Sequence, residues 1–145
     1  MSDFTLSDWE QEFIFTQPVA RLATVAGSGQ PHVIPIVYVF DQMRFFTPID
    51  GKKKRTTEAR QLRRVRNILQ NPRVSLIIDI YNADWTQLAW VQVHGTAQLI
   101  DDGPTHQKAI ALLRSKYDQY QSVPLGEWPV IAIDPHSLTS WRAAR

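Results

Sequence analysis

Cysteine is absent from this chain of 145 residues, and its absence excludes several kinds of site. Without a thiol the protein has no disulfide framework, no thiolate metal site and no cysteine nucleophile. A chain that needs no disulfide fits a reducing compartment, so we expect a cytoplasmic protein.

Long hydrophobic runs are missing as well. The N-terminal stretch MSDFTLSDWEQEF is acidic and has no continuous apolar segment, so we expect no signal peptide. No apolar run approaches the ~20 residues that a membrane-spanning helix needs, and we expect no association with a membrane.

Neither sign of charge dominates the composition. The chain has 16 Lys and Arg against 14 Asp and Glu, with a net charge of +2. A hydrophobic fraction of 43% and a charged fraction of 21% are typical of a folded globular protein rather than a disordered one. The length fits one domain, which we predict to cover residues 1–145.

The positive charge is concentrated in one segment. The stretch DGKKKRTTEARQLRRVRN, residues 50–67, holds eight of the 16 Lys and Arg. Its lysines precede a predicted helix, whose free N–H groups and dipole favour an anion. Charge alone leaves three interpretations open: phosphate or carboxylate binding, a solvated helix face, and nucleic-acid binding. No recognised DNA- or RNA-binding motif accompanies the charge, so we expect no nucleic-acid partner.

Hydrophobic periodicity predicts six strands and three helices. Ser7 and Glu10 have capping-box spacing, which predicts an opening helix over residues 7–16. The second helix has an apolar face made of Ala59, Leu62, Val65 and Leu69, and the third covers residues 105–117. The predicted strands cover residues 19–25, 33–40, 44–47, 73–81, 89–100 and 129–141, with Pro35 indicating an edge strand or a bulge. This pattern indicates a small barrel or an α+β fold.

No combination of side chains predicts a catalytic centre. The four histidines lack the spacing of a zinc site, and Ser28 lies in a turn rather than a nucleophile elbow. His94 is expected to be a hydrogen-bonded core or interface residue, with a position facing a pocket as the alternative. Asp79 and Asp84 are not a convincing acid–base pair. We therefore predict no catalytic side chain and no metal, and expect a bound cofactor to supply any chemistry.

Four stretches together resemble the pyridoxamine-phosphate-oxidase-like superfamily of flavin-binding split β-barrels. They are RLATVAGSGQPHVIPIVYVFD, FFTPIDGKKKR, LRRVRNILQNPRVSLIID and DWTQLAWVQVHGTAQLI. The segments DGKKKRT and DWTQLAWVQVHG are similar to the branch that uses the deazaflavin coenzyme F420. The resemblance covers about residues 15–142. It implies a mainly β (α+β) fold, namely an antiparallel six-stranded split β-barrel with a few peripheral helices.

The resemblance also implies a homodimer with two cofactor sites at the subunit interface. Lys52, Lys54 and Arg55 would hold the phosphate and the acidic tail of the cofactor. Arg64 and Asn67 match the basic residue and the Asn of the superfamily's K-x-x-N-L phosphate motif. In this chain Arg replaces the usual Lys, and the two are not equivalent at a phosphate.

The remaining implied contacts come from three strands and a loop. Two strands would lie along the cofactor ring: Val33, Ile34, Pro35 and Ile36 on one, and Thr47, Pro48 and Ile49 on the other. The second subunit would contribute Trp85, Trp90 and Val91.

The activity implied is hydride transfer between F420 and a small organic substrate. The protein would supply proximity, orientation and exclusion of water. FMN is the alternative cofactor, although the long basic tract favours an oligoglutamate tail over a single phosphate. A non-catalytic carrier or sensor of flavin or F420 is the alternative from another functional class.

Overall fold

The computed structural model describes residues 4–49 and 59–144 of the chain. The helices are α1 (Asp8–Thr16), α2 (Arg63–Gln70) and α3 (Pro104–Lys116), with short 3₁₀ turns at Ala59–Gln61, Trp85–Gln87 and Asp118–Gln121. The strands are β1 (Ala20–Val25), β2 (Pro31–Ile36), β3 (Val39–Phe40), β4 (Phe45–Pro48), β5 (Arg73–Ile80), β6 (Ala89–Ile100) and β7 (Val130–Arg142). Among these residues no helix combines the length and hydropathy needed to cross a bilayer.

The described strands form one antiparallel sheet in the order β2-β1-β5-β6-β7-β4-β3. The predicted mainly β fold of split-barrel type is confirmed, but the sheet has seven strands instead of six. The predicted strand over residues 33–40 is in fact two strands. β2 pairs with β1 at one edge of the sheet, whereas β3 pairs with β4 at the other.

A tyrosine from the distant end of α3 explains this break. The hydroxyl of Tyr117 accepts a hydrogen bond from the N–H of Tyr38 at 3.0 Å and lies 2.9 Å from the carbonyl oxygen of Tyr38. The hydroxyl hydrogen of Tyr117 is shared between the carbonyl oxygens of Tyr38 and Pro18, the latter also at 2.9 Å. The N–H of Tyr38 thus bonds a side chain instead of a neighbouring strand, which interrupts the ladder at this residue. The hydroxyl of Tyr38 donates to the carbonyl of Ile14 at 2.6 Å and holds the crossing segment against α1.

The opening helix begins as predicted. Ser7 and Glu10 form a complete capping box, in which each side chain bonds the backbone N–H of the other residue. The second carboxylate oxygen of Glu10 accepts a hydrogen bond from Ser140 on β7 at 2.6 Å. Burial raises the pKa of Glu10, but the hydrogen bonds from Ser140 and Ser7 outweigh it and leave that pKa below its usual value. The cap thus also connects α1 to the last strand.

The second helix is interrupted, and the prediction that Leu69 faces the core was wrong. Leu62 has extended backbone angles (φ −64°, ψ 140°) between the 3₁₀ turn and α2. This interruption changes which side chains face inward, so Val65 and Ile68 are buried while Leu69 is 56% exposed. The predicted apolar face assumed an unbroken helix from Ala59 to Leu69, which the chain does not form.

The two faces of the sheet pack differently. One face encloses the main core, which includes Leu22, Leu76, Val91 and Ile133. On the other face, α3 covers β3, β4 and the first half of β7 through Ala109, Ile110, Leu113, Val39, Phe46, Val130 and Ala132. The outward side chains of β1, β5, β6 and the second half of β7 are half-buried or exposed. We call the surface formed by these outward side chains the open face.

A buried ammonium group lies beneath the end of α3. The Nζ atom of Lys116 is 3.9 Å from the ring centroid of Tyr38 and has no hydrogen-bond partner in the described part of the chain. Burial lowers the pKa of Lys116 from 10.5 to about 8. The contact with the ring face favours the charged form and offsets part of the cost of burial.

This lysine makes stability depend on pH in a predictable direction. The unfolded chain keeps its proton up to about pH 10.5, whereas the folded chain loses it near pH 8, so stability rises with pH between these values. Replacement Lys116→Met removes the buried charge while keeping the length of the stem. Near pH 7 we expect a gain of about 1 kcal/mol, reduced from the full shift because the group is partly solvated.

Urea unfolding of both proteins at about pH 7 and about pH 9.5 checks this prediction. The gain from Lys116→Met should shrink at the higher pH, because the wild-type lysine is then neutral in the folded state. An identical difference at both pH values would show that Lys116 is not the titrating group.

Candidate functional site

The first predicted contact strand, β2, lies at the edge of the described sheet. Val33 is 61% exposed and Pro35 is exposed, while Ile34 and Ile36 pack toward the core. Proline is tolerated on an edge strand where its missing N–H would have pointed away from the sheet. The prediction that Pro35 marks an edge is therefore confirmed.

Alternation along β2 identifies one outward backbone donor. Pro31, Val33 and Pro35 face Val25, Ala23 and Arg21 in the pairing register. Positions two apart share the same backbone orientation in a strand, so the N–H of Val33 points outward like those that the prolines lack. The free edge of β2 thus offers one N–H, at Val33, together with carbonyl oxygens.

The second predicted contact strand, β4, is buried along its length. Thr47 and Ile49 are 2% and 1% exposed, and Pro48 is buried between them. Thr47 and Pro48 pair with Ile131 and Val130 of β7. Ile36, at the end of β2, and Ile49, which follows β4, both belong to the main core.

The two residues of the predicted phosphate motif on α2 have different surroundings. Arg64 is half-buried and retains polar contacts within the protein. Asn67 is only 1% exposed, and its amide donates a buried hydrogen bond of 2.9 Å to the hydroxyl of Thr24 on β1. The side chain of Asn67 therefore joins α2 to the sheet.

The remaining basic residues of the predicted site are Lys52, Lys54 and Arg55, which lie outside the described residues. Nearby, Arg60 forms an exposed ion pair of 2.9 Å with Asp101, and Arg63 and Arg66 are exposed. All three arginines thus lie at the exposed surface.

One end of the open face is aromatic. Trp90 and Trp141 pair directly across β6 and β7, and Trp85 and Tyr81 in the adjoining loop are 68% and 75% exposed. We call these four residues the aromatic end. Val91 points the opposite way and is fully buried in the core. Trp90 and Val91 were predicted to shape one pocket, but their side chains lie on opposite faces of β6.

The sequence interpretation missed Trp141. The sequence did contain a signal for this residue. A tryptophan near the end of a predicted strand can extend an aromatic surface that other tryptophans form. What the sequence did not show is the register that places Trp141 opposite Trp90.

The other end of the open face carries two histidines. The Nδ1 atom of His94 is 2.7 Å from the hydroxyl of Ser75, and the Nε2 atom of His136 is 3.0 Å from the hydroxyl of Thr96. With Arg73 they border a cavity of about 630 Å³. We call these five residues the histidine end. His94 is hydrogen-bonded, but it is exposed rather than in the core of the described chain, and it faces a pocket as the alternative expectation had it.

A β-bulge creates this arrangement. In the β6–β7 register His94 faces Ser137 and Gly95 faces Pro135, so His136 is the extra residue. Gly95 allows the close approach of the two strands. A Cβ atom there would lie 3.0 Å from the carbonyl carbon of Asp134 and 3.2 Å from the Cα of Pro135, and closer still to the carbonyl oxygen of Asp134. No side chain larger than glycine fits.

Within residues 4–49 and 59–144 no cluster of metal ligands forms, and Asp79 and Asp84 each bond another residue. This part of the chain has no group of three His, Cys, Asp or Glu side chains positioned to hold a metal ion. Asp79 forms an ion pair with Arg21 on the open face, and Asp84 caps the 3₁₀ turn after β5 by accepting from Thr86.

Residues 6–142 match the pyridoxamine 5'-phosphate oxidase family, which is nearly the whole chain. The chain belongs to this family. A curated relative of this family member is the 5a,11a-dehydrotetracycline/5a,11a-dehydrooxytetracycline reductase of Streptomyces rimosus, which is 32% identical over 95 residues. That match covers 65% of this family member and 63% of the reductase, so it spans less than two thirds of the relative's length.

Solved structures of low sequence identity share the fold of this pyridoxamine 5'-phosphate oxidase family member. HutZ, the heme storage protein from Vibrio cholerae, superposes with a TM-score of 0.71 at 19% identity, over 96% of this chain and 95% of HutZ. An FAD-binding protein from Mesorhizobium loti gives a TM-score of 0.70 at 21% identity, over 96% of each chain. At these identities the likeness concerns the fold alone.

Proposed function

We propose that this chain is an oxidoreductase that transfers a hydride between bound coenzyme F420 and a small organic substrate. The observation that carries the proposal is the family match over residues 6–142. The similarity to a reductase supports redox chemistry. The basic tract over residues 52–55 supports a polyanionic cofactor tail, because a single phosphate needs fewer cationic partners.

The residues present fit a flat, anionic cofactor along the free edge of β2. The outward N–H of Val33 can donate to one edge of a ring, and the exposed side chain of Val33 offers an apolar contact beside it. Lys52, Lys54 and Arg55 would hold the tail, and Arg64 the phosphate. Asn67 would support the site indirectly, by fixing α2 against β1. Bound F420 would supply the hydride carrier, which this chain's own side chains do not provide.

A second copy of the chain would complete the site. Trp90 is three strands away from β2, or about 14 Å across the sheet, too far to contact a ring on the β2 edge of its own chain. The aromatic end exposes three large rings to solvent, those of Tyr81, Trp85 and Trp141, as many subunit interfaces do before assembly. We therefore propose a homodimer in which Trp85 and Trp90 of one copy face the cofactor of the other.

Equilibrium titration with F420 and with FMN tests this function. We expect F420 to bind, and the double variant Lys54→Ala with Arg55→Ala to bind it at least about 100-fold more weakly, since each lost charged hydrogen bond costs about 1.5–3 kcal/mol. The matched control is Arg63→Ala with Arg66→Ala, which removes the same charge from exposed positions on α2. Sedimentation equilibrium on these samples should give twice the chain mass of 16.7 kDa.

The other possible outcomes of this titration decide between the alternative functions. Binding of FMN without binding of F420 would replace the proposed cofactor by FMN. If F420 binds but no enone acceptor, dehydrotetracycline included, oxidises its reduced form, the chain is a carrier or sensor. Binding of neither cofactor contradicts the proposal, and an equal loss in both double variants would show that only total charge matters.

A further inference from the structure

We propose that the histidine end of the open face binds a small organic anion, a carboxylate or phosphate group on an apolar body. The cavity of about 630 Å³ lies within the range of about 300–1,000 Å³ that is usual for ligand pockets. Of the residues predicted to hold the cofactor, none that the structure describes borders it. This site is thus additional to the proposed oxidoreductase centre, and lies four residues along β6 from Trp90, or about 13 Å.

The charge around the cavity favours an anion. Arg73 is on its border, and none of the described residues that line it is an aspartate or a glutamate. Within the described part of the chain the guanidinium of Arg73 has no ion pair or hydrogen bond. A guanidinium presents a planar pair of N–H donors that matches the two oxygens of a carboxylate or phosphate.

The two histidines are held in place with one ring nitrogen each still available. Ser75 engages Nδ1 of His94, and Thr96 engages Nε2 of His136. The other nitrogens, Nε2 of His94 and Nδ1 of His136, have no partner among residues 4–49 and 59–144. Each can hydrogen-bond a ligand without giving up the bond that orients its ring.

The bulge indicates that this arrangement is specific. A bulge leaves its extra residue outside the regular pairing and redirects the side chain, and here that residue is His136. The close approach at Gly95 maintains the bulge, so the position of His136 depends on backbone geometry rather than on a flexible surface side chain.

The apolar wall favours an organic anion over a bare inorganic one. Ala23, Val25 and Pro31 are apolar residues of the cavity lining. A ligand that contacts both kinds of lining residue would place its apolar body against these apolar side chains and its anionic group at the guanidinium of Arg73.

Isothermal titration of the full chain without cofactor tests the site. The probes are 2-naphthoate and 2-naphthyl phosphate, with 2-naphthamide as the neutral analogue and inorganic phosphate as the anion without an apolar body. We expect at least one naphthyl anion to bind at one per chain, at least about tenfold more tightly than the amide and than inorganic phosphate. Comparison of the two anions identifies the preferred head group.

Variants locate the binding. Arg73→Gln should weaken it at least about tenfold, because it removes the charged fork, whereas Arg63→Gln on exposed α2 should leave it unchanged. His136→Gln provides a second variant in case Arg73→Gln does not fold, and should weaken binding several-fold. The double variant Lys54→Ala with Arg55→Ala should bind the anion normally, which separates this site from the proposed cofactor site. Absence of saturable binding, equal binding of the amide, or unchanged binding by folded Arg73→Gln or His136→Gln would overturn the proposal.

Discussion

Replacement Gly95→Ala is expected to lower the free energy of unfolding by about 3 kcal/mol, as severe overpacking does. The added Cβ atom would collide with the backbone of Asp134 and Pro135, and backbone cannot move aside as a side-chain end can. Relief requires β6 and β7 to separate at the bulge. These two strands share the longest ladder of the sheet, from Ala89–Arg142 to Ile100–Val130, so the strain acts on its centre.

Urea unfolding of Gly95→Ala measures this loss, and Gly126→Ala is the matched control. Gly126 is exposed, and a Cβ atom added to it would meet no heavy atom within 4 Å. Its replacement should therefore change stability by no more than about 0.5 kcal/mol. If Gly95→Ala folds with unchanged stability, the close approach of the strands at the bulge is wrong. A folded variant should also bind the preferred naphthyl anion several-fold more weakly, because His136 would leave its place beside Thr96.

Replacement Asn67→Ala is expected to cost about 2 kcal/mol in the absence of any ligand, because it leaves the buried hydroxyl of Thr24 without its partner. Replacement Thr24→Val removes the other half of the same bond. In a double-mutant cycle the two changes should couple by about 1–2 kcal/mol, since neither residue can regain the bond alone. The exposed Arg66→Ala on the same helix should change stability by less than about 0.5 kcal/mol.

This cycle also decides how Asn67 contributes to the proposed cofactor site. Additive changes in stability would contradict the buried hydrogen bond. If Asn67→Ala keeps its stability but loses cofactor affinity, the amide contacts the ligand directly. If it loses stability and affinity together, and Thr24→Val does the same, Asn67 acts by positioning α2.

Local signals in the sequence predicted the elements whose structure is local. Ser7 and Glu10 begin α1 because the capping box involves residues only three apart. Pro35 indicated an edge because a missing N–H excludes a central strand. In contrast, the break after Ile36 depends on Tyr117, which is 79 residues away from Tyr38, and no periodicity near residue 37 reveals it.

Prediction of the candidate site has the same limit, because its arrangement depends on residues far apart in the chain. Trp90 and Val91 were predicted to shape one pocket, although alternation along β6 already places neighbouring residues on opposite faces. The partnership of Trp90 with Trp141 and the placement of His136 both require the β6–β7 register, including its bulge. Composition and spacing within one segment do not contain that register.

The prolines of β2 have a consequence for how the protein behaves at high concentration. A free sheet edge is a template on which another extended chain can add, and such additions lead to aggregation. Pro31 and Pro35 remove the donors on either side of Val33, so an incoming strand would find one N–H where it needs a continuous row. A flat small molecule needs only one such N–H donor. The edge of β2 can therefore remain open to a ligand while resisting its use by another protein strand.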